Sequence, residues 1–314
     1  MEILVLGAGV SGLTTAWQLL QRGHRVRLWS KEPPLATTSA VAAALWYPFE
    51  AGPADKVAEW GLRSYRAFQR LSDDPRTGIR FHHCDDLADE DRPLPSWTAD
   101  VDGFATRTNT PDGFAHAWGM RVPVIETPTY LPFLTSEIER LGGVFEEREL
   151  GSLEETEGHR IVVQCTGLGA KELSQDEELF PIRGQVVRAA RKPGTRVERC
   201  SVFERNDGSF GYVVLRDEDM ILGGTTDRGV WDLEPDLDEV PRIVERCASV
   251  EPGLKGVEVL ETKVGLRPGR TTVRLEAEQR GEQVFVHNYG HGGCGITLSY
   301  ACAEDVCGLV EGVL

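Results

Sequence analysis

The stretch Met1-Glu2-Ile3-Leu4-Val5-Leu6-Gly7-Ala8-Gly9-Val10-Ser11-Gly12-Leu13 decides the fold of this chain. Ile3, Leu4, Val5 and Leu6 form an uninterrupted apolar run, the pattern of a strand buried on both faces. Gly7, Gly9 and Gly12 then spell G-x-G-x-x-G. Leu13, Ala16, Trp17 and Leu20 follow at helical spacing, and Gly23 stands where a C-cap glycine would. A second strand, residues 24–29, comes next. This is the order of parts in a dinucleotide-binding βαβ unit. Gly7 permits the tight turn, Gly9 lets the backbone approach a pyrophosphate, and Gly12 lets helix and strand pack closely. With Ala8, Val10 and Ser11 between them, the helix N-terminus offers free N–H groups to the phosphates.

The 314 residues suffice for two domains or one large one. A net charge of −16 disfavours nucleic acid and acidic membrane surfaces as partners. No apolar run approaches the roughly 18 residues of a membrane span, and Met1 leads straight into the first strand, so the cytoplasm is the expected compartment. The seven cysteines include no C-x-x-C pair, and no metal site is expected. Most read as buried small apolar residues, with one Cys200–Cys247 disulfide left open. The cluster His82-His83-Cys84-Asp85-Asp86 has metal-ligand residue types, but neighbours in an extended segment point to opposite faces, and it reads as a solvated loop.

Further along, Thr37-Thr38-Ser39 precedes Val41-Ala42-Ala43-Ala44-Leu45-Trp46. The hydroxyls fit phosphate or ribose contacts beside a flat cofactor, and fit equally a hydroxyl cap on a small-residue helix. Residues 55–71 and 129–141 read as helices, the second with Pro132 in its first turn. Residues 72–127 read as short strands and irregular connections. Residues 144–145 and 159–164 read as strands rejoining the first sheet, ending in the small-residue turn Cys165-Thr166-Gly167. From Phe180 onward a mostly antiparallel sheet is expected, with strands near 184–187, 200–204, 210–215, 220–222 and 262–267, the last ended by Pro268, and one helix, 239–248. A strand at 283–287 and a terminal helix at 298–310 close the chain.

Three features carry chemistry. Arg267, on a strand in an apolar setting, requires an anion: a substrate carboxylate matching its planar fork, or a structural Asp or Glu. Tyr212 shares a face with Val214 and either adds a donor to that carboxylate or is a core tyrosine with its tip at the surface. Gly290, Gly292, Gly293 and Gly295 leave a bare backbone for a ring system, ahead of a helix N-terminus whose donors would stabilise negative charge on a reduced flavin.

Together with Arg183-Gly184-Gln185, Leu222-Gly223-Gly224, Gly265-Leu266-Arg267-Pro268 and His287-Asn288-Tyr289-Gly290-His291-Gly292-Gly293, these motifs resemble the D-amino-acid oxidase family, in order and over nearly the whole chain. The resemblance implies an α/β fold: a Rossmann-like FAD-binding domain from residues 1–50, 129–175 and 268–314, and a mostly antiparallel substrate domain from 51–128 and 176–267. It implies non-covalent FAD. Thr37, Thr38, Ser39, Ala43, Ala44, Leu45 and Trp46 would lie along flavin and phosphates, with Cys165, Thr166 and Gly167 at the strand-end turn. Gly290, Gly292, Gly293, Cys294, Gly295, Ile296 and Thr297 would receive the flavin. Arg267 and Tyr212 would bind the substrate carboxylate, and the Gly293 carbonyl the amino group.

This chain departs from the family's pattern twice. Glu32, 20 residues past Gly12, is the candidate acid for the ribose hydroxyls, with Lys31 at the position where the family more often has the acid. Gly208 replaces a lid tyrosine of animal members, which implies a more open pocket. The implied reaction is oxidative deamination of neutral D-amino acids by dioxygen, giving 2-oxo acids, ammonia and hydrogen peroxide. The alternatives are a D-aspartate oxidase, on account of Arg205 and Arg216 near Tyr212, and a glycine or sarcosine oxidase. From other classes come an NAD(P)-dependent dehydrogenase and a non-catalytic flavin-binding module. A monomer and a homodimer are both compatible with the sequence.

Overall fold

The computed structural model describes the chain except residues 91, 92, 108, 109, 111, 112 and 193, most of them within the stretch expected to hold irregular connections. Two sheets organise it. In the first, β1 (Glu2–Leu6) sits between two parallel neighbours, β2 (Arg25–Ser30) and the strand Ile161–Gln164. The strand Val144–Glu147 extends the sheet beyond β2, and Gln283–Tyr289 extends it on the other side, both in parallel. Arg274–Arg280 closes that edge as an antiparallel hairpin partner. Leu4 and Val5 are fully buried, as the apolar run requires. The chain leaves β1 toward one side and returns later on the other, which opens a crevice beyond the carboxyl ends of the strands.

The helix α1 (Val10–Gln21) follows the glycine turn. It ends where expected. Gly23 has φ +84°, its N–H reaches Leu20 O and the His24 N–H reaches Leu19 O, the paired bonds of a Schellman cap. One face of α1 packs on the final helix, Gly295–Gly312, where Gln18 Nε2 donates to Tyr300 O at 2.9 Å. Trp17 meets Phe133 edge-on at 5.9 Å. The helix Ala54–Leu71 also packs on that final helix: Trp60 Nε1 donates to Asp305 and the Ala301 N–H to Ser64 Oγ. It thereby ties chain segments of the second sheet to the layer that carries the first.

Among the described residues the second sheet has nine strands, antiparallel except for one parallel pair, Ile79–Ala88 with Cys200–Glu204. Cys200–Glu204 and Phe210–Leu215 have the bounds the alternation predicts. Several expectations need correction, and two open alternatives are decided. Residues 79–88 and 116–125 are two paired ten-residue strands, not short pieces. The cluster at 82–86 therefore lies within a strand. Asp85 and Asp86 are buried, Asp85 paired with Arg107 and Arg199 and Asp86 accepting from Tyr47 Oη. No metal-ligand group occurs among the described residues. Residues 42–46 are not helical: the short helix stops at Val41, and Ala44 has φ +62°. Pro268 does not end its strand, which runs Val259–Gly269; that strand pairs on one side only, so the missing N–H costs no ladder bond. The second predicted helix is Thr127–Arg140, with Pro128 rather than Pro132 in the first turn. The Cys200–Cys247 disulfide that the sequence leaves open does not form. All seven cysteines are free and buried, and burial pushes the Cys200 and Cys247 thiols up to about 12.

Candidate active site

A cavity of about 900 Å³ runs between the two sheets, from the β1–α1 turn to the strands that carry Tyr212 and Arg267. At its first end it is lined by Gly7, Ala8, Gly9, Val10 and Ser11. Here the glycines are required sterically. A Cβ on Gly7 would sit 2.5 Å from Cys165 O, and one on Gly12 would sit 1.9 Å from Gly7 O. The turn after β1 is therefore pressed against the turn that follows the strand Ile161–Gln164. Cys165, Thr166 and Gly167 line the cavity there.

Ser39, in the hydroxyl cluster, has a third role. Its Oγ accepts from the Val10 N–H at 3.0 Å, so it caps α1 rather than its own short helix. Thr37 and Thr38 line the same wall. Lys31 and Glu32 border the cavity just past β2. Lys31 Nζ is 2.6 Å from Glu149 Oε1, and Glu32 has no ion-pair partner among the described residues. Glu32 therefore stands at this end of the cavity as a carboxylate without an ion-pair partner among the described residues.

Beyond these, residues 43–49 cross from one sheet to the other. Ala43, Ala44, Leu45, Tyr47 and Phe49 line the cavity. Trp46 does not. It is fully buried on the opposite side, donating from Nε1 to Gly61 O at 3.0 Å and packed edge-on to Tyr65 and Trp97. In an extended chain alternate residues share a face, so Leu45, Tyr47 and Phe49 face one way and Trp46 the other. In sequence the contiguous small-residue stretch reads as one surface and conceals Tyr47 and Phe49, which counting in twos from Leu45 reveals.

The C-terminal motif also divides. Gly292, Gly293, Gly295, Ile296 and Thr297 line the cavity, whereas Gly290 and Cys294 lie off its wall, as does Gly12. Cys294 instead bonds through Sγ to the backbone of Phe49. Gly293 leaves room for Phe49: an added Cβ would sit 2.7 Å from that ring. His291, unassigned by sequence, lines the cavity as well. It is 2 % exposed, and its ring has no hydrogen-bond partner among the described residues. Burial lowers its pKa to about 4.

A pH dependence follows. The folded state holds His291 neutral well below the usual 6.5, so the unfolded chain binds the proton more readily. This contribution to stability is complete above pH 6.5 and is lost as pH falls toward about 4. The unmodified protein is expected to lose about 3 kcal/mol more over that interval than His291→Gln, measured by denaturant unfolding. Parallel pH profiles would remove His291 from the account.

At the far end, Arg267 and Tyr212 come together. The Arg267 guanidinium lies over Gly184, where a Cβ would be 2.4 Å from Nη2, and Nη1 donates to Thr225 O at 3.0 Å. The Tyr212 ring lies over Gly223, where a Cβ would be 2.0 Å from it. Gly184 and Gly223 thus leave the spaces that the Arg267 and Tyr212 side chains occupy. Burial raises the Tyr212 pKa, and the neighbouring Arg267 pulls it back in part. Among the described residues no carboxylate pairs with Arg267, so the structural ion pair left open by the sequence does not form. Phe49 and Phe210 stack at 5.2 Å with nearly parallel planes, and Phe210 meets Tyr212 edge-on. The cavity's carboxylates, Glu32, Glu149 and Glu172, belong to the other sheet's strand ends.

Arg205 and Arg216 are committed elsewhere. Arg205 pairs with Asp89 over the Phe114 ring, and buried Arg216 donates to the carbonyls of Ala42 and Ala43. Neither lines the cavity. Gly208 lies in the tight 205–209 turn, with φ +81°, so no side chain there reaches over the pocket.

A parallel sheet with a glycine cradle at its switch point, joined through one long cavity to a second sheet bearing an unpaired arginine, defines a dinucleotide-dependent oxidoreductase. Residues 2–309 match the family of FAD-dependent oxidoreductases, and the chain belongs to that family. It is 45% identical to a D-amino-acid oxidase of Rubrobacter xylanophilus over 99% of this chain and 96% of that one. It is 37% identical to a D-amino-acid oxidase of Streptomyces coelicolor, over 99% and 97%. A D-aspartate oxidase of Homo sapiens is 31% identical over 99% and 94%. In fold it is similar to a glycine oxidase of Geobacillus kaustophilus, with a TM-score of 0.82 at 18% identity over 99% and 94%. Its cofactor is FAD, and the cradle fits it: bare backbone where a Cβ would collide, a helix N-terminus, and a free acid past β2. No helix among the described residues is long and apolar enough to cross a membrane.

Proposed function

We propose that this protein is a D-amino-acid oxidase that deaminates neutral, apolar D-amino acids, with Arg267, Tyr212 and the Gly293 carbonyl as its substrate-binding groups. The observation that carries this reading is the unpaired Arg267 beside Tyr212, in the cavity that also holds the glycine cradle. The guanidinium binds the substrate carboxylate with two parallel N–H donors, and the Tyr212 hydroxyl adds a third. The Gly293 carbonyl accepts from the amino group. Three points fix the Cα, so its hydrogen faces one way for one enantiomer only. FAD supplies the two-electron acceptor, reoxidised by dioxygen to hydrogen peroxide. Water then hydrolyses the imino acid to a 2-oxo acid and ammonia.

The apolar wall supports the choice of neutral substrates. Phe49, Phe210 and Val202 offer nothing to a second carboxylate, and the two nearby arginines are engaged elsewhere. A buried carboxylate without a partner costs several kcal/mol. Peroxide release from D-valine, D-alanine and D-aspartate tests this directly. D-Aspartate is expected to fall about a hundredfold or more below the best neutral substrate in kcat/KM. A clear preference for D-aspartate would overturn the substrate assignment. The seven free thiols fit a reducing compartment, and the cytoplasm is the location we assign.

A further inference from the structure

Residues 229–237 carry four exposed apolar side chains, Val230, Trp231, Leu233 and Leu237, in a chain that otherwise buries most of its large ones. Trp231 is 53 % and Leu233 58 % exposed, yet both border the cavity. Trp231 also lines a shallow depression with Leu168, Gly169 and Glu172. Leu168 and Gly169 belong to the turn that follows the strand Ile161–Gln164, and Glu172 to the short helix after it. The segment therefore reaches from the second sheet across the cavity mouth to the first.

Its backbone is held rigidly from below. Arg183 and Gln185 are buried, and neither touches the cavity. Arg183 donates from Nε to Asp232 O at 3.0 Å and from Nη2 to Glu234 O at 2.6 Å. Gln185 donates to Asp236 O at 2.7 Å and accepts from the Asp236 N–H at 2.8 Å. The Gly229 N–H reaches Pro181 O. Buried side-chain donors spent on loop carbonyls specify the path of that loop, while the Trp231 and Leu233 side chains stay free.

We propose that residues 229–237 form a fixed strap over bound FAD, with Trp231 and Leu233 as the side chains that retain the cofactor. The turn they face is pressed against the glycine turn of β1, since Gly7 has room for no Cβ beside Cys165 O. The part of FAD beneath the strap is therefore the stretch next to the pyrophosphate. Apolar area left in water without cofactor is covered when it binds, and the gain appears as slower release. Arg183 and Gln185 are positioning residues that act through the strap.

The test follows flavin fluorescence and absorbance after dilution of the FAD-loaded protein, which needs no substrate. Trp231→Ala should speed FAD release by about tenfold or more, and Leu233→Ala by less. Trp231→Phe should restore most of the retention. Because both side chains are exposed, the variants should melt as the unmodified protein does when saturated with FAD. At saturating FAD, KM for the D-amino acid should not change. Sedimentation of the same samples distinguishes the other use of an exposed apolar segment. Unchanged FAD release in Trp231→Ala overturns the proposal. So does a change of oligomeric state with unchanged release, which would make the strap an interface between copies. A protein that binds FAD but oxidises no D-amino acid would sink the proposed function and leave this inference standing.

Discussion

Arg267→Ala is expected to abolish turnover at millimolar D-amino acid while FAD stays bound. The guanidinium is the cation that the second sheet brings to the cavity, beside Tyr212 and free of any carboxylate among the described residues. Two charge-assisted hydrogen bonds to one carboxylate are worth several kcal/mol where water is excluded. Their loss also releases the orientation of Cα, so kcat and KM should both suffer. A fall of about a thousandfold in kcat/KM, near 4 kcal/mol, is the expected scale. Arg267→Lys should recover only a small part, because an ammonium cannot reproduce the planar fork. Arg267 is not part of the β1–α1 turn, so the variant should still carry the absorbance of bound flavin. Normal activity in Arg267→Ala would remove this residue from the site.

The same residue shows what a sequence can and cannot disclose. That Arg267 sits on a strand and needs an anion is legible from period-two alternation and from the chemistry of the fork. Which anion is not, because an Asp or Glu can arrive from any part of the chain. The structure answers by showing that Arg267 has none among the described residues, and that Gly184 and Gly223 stand as gaps beneath the two side chains. The strand Ile79–Ala88 was hidden for a related reason. Its residues His82 to Asp86 read as polar and solvated. Asp85 and Asp86 are nevertheless buried, compensated by Arg107, Arg199 and Tyr47, which lie far away in sequence. Local pattern succeeds where neighbours decide the environment, as at Cys200–Glu204 and Phe210–Leu215. It fails where distant charges do.

Gly12→Ala should cost more than its single methyl suggests, in stability and in cofactor together. A Cβ at residue 12 would sit 1.9 Å from Gly7 O and 2.9 Å from Gly7 C, both backbone atoms with no rotamer to yield. Either α1 lifts from the turn or the turn itself shifts. The turn cannot move toward the neighbouring strand, since Gly7 already leaves no room beside Cys165 O. So α1 must move, and its far face is locked against Tyr300 and Phe133. Overpacking of this kind costs about 1–3 kcal/mol. The displacement also takes the helix N-terminus away from where the phosphates bind, although Gly12 itself does not line the cavity. Gly12→Ala is therefore expected to be isolated largely without flavin absorbance, and to melt several degrees lower than the unmodified protein stripped of FAD. A variant that keeps FAD and melts normally would show that the turn has slack the close contacts do not suggest. Loss of FAD at unchanged apoprotein stability would separate the two effects and place the damage in the phosphate contacts alone. Gly12 thus acts on the cofactor at one remove, by holding α1 against the turn that Gly7 and Gly9 form.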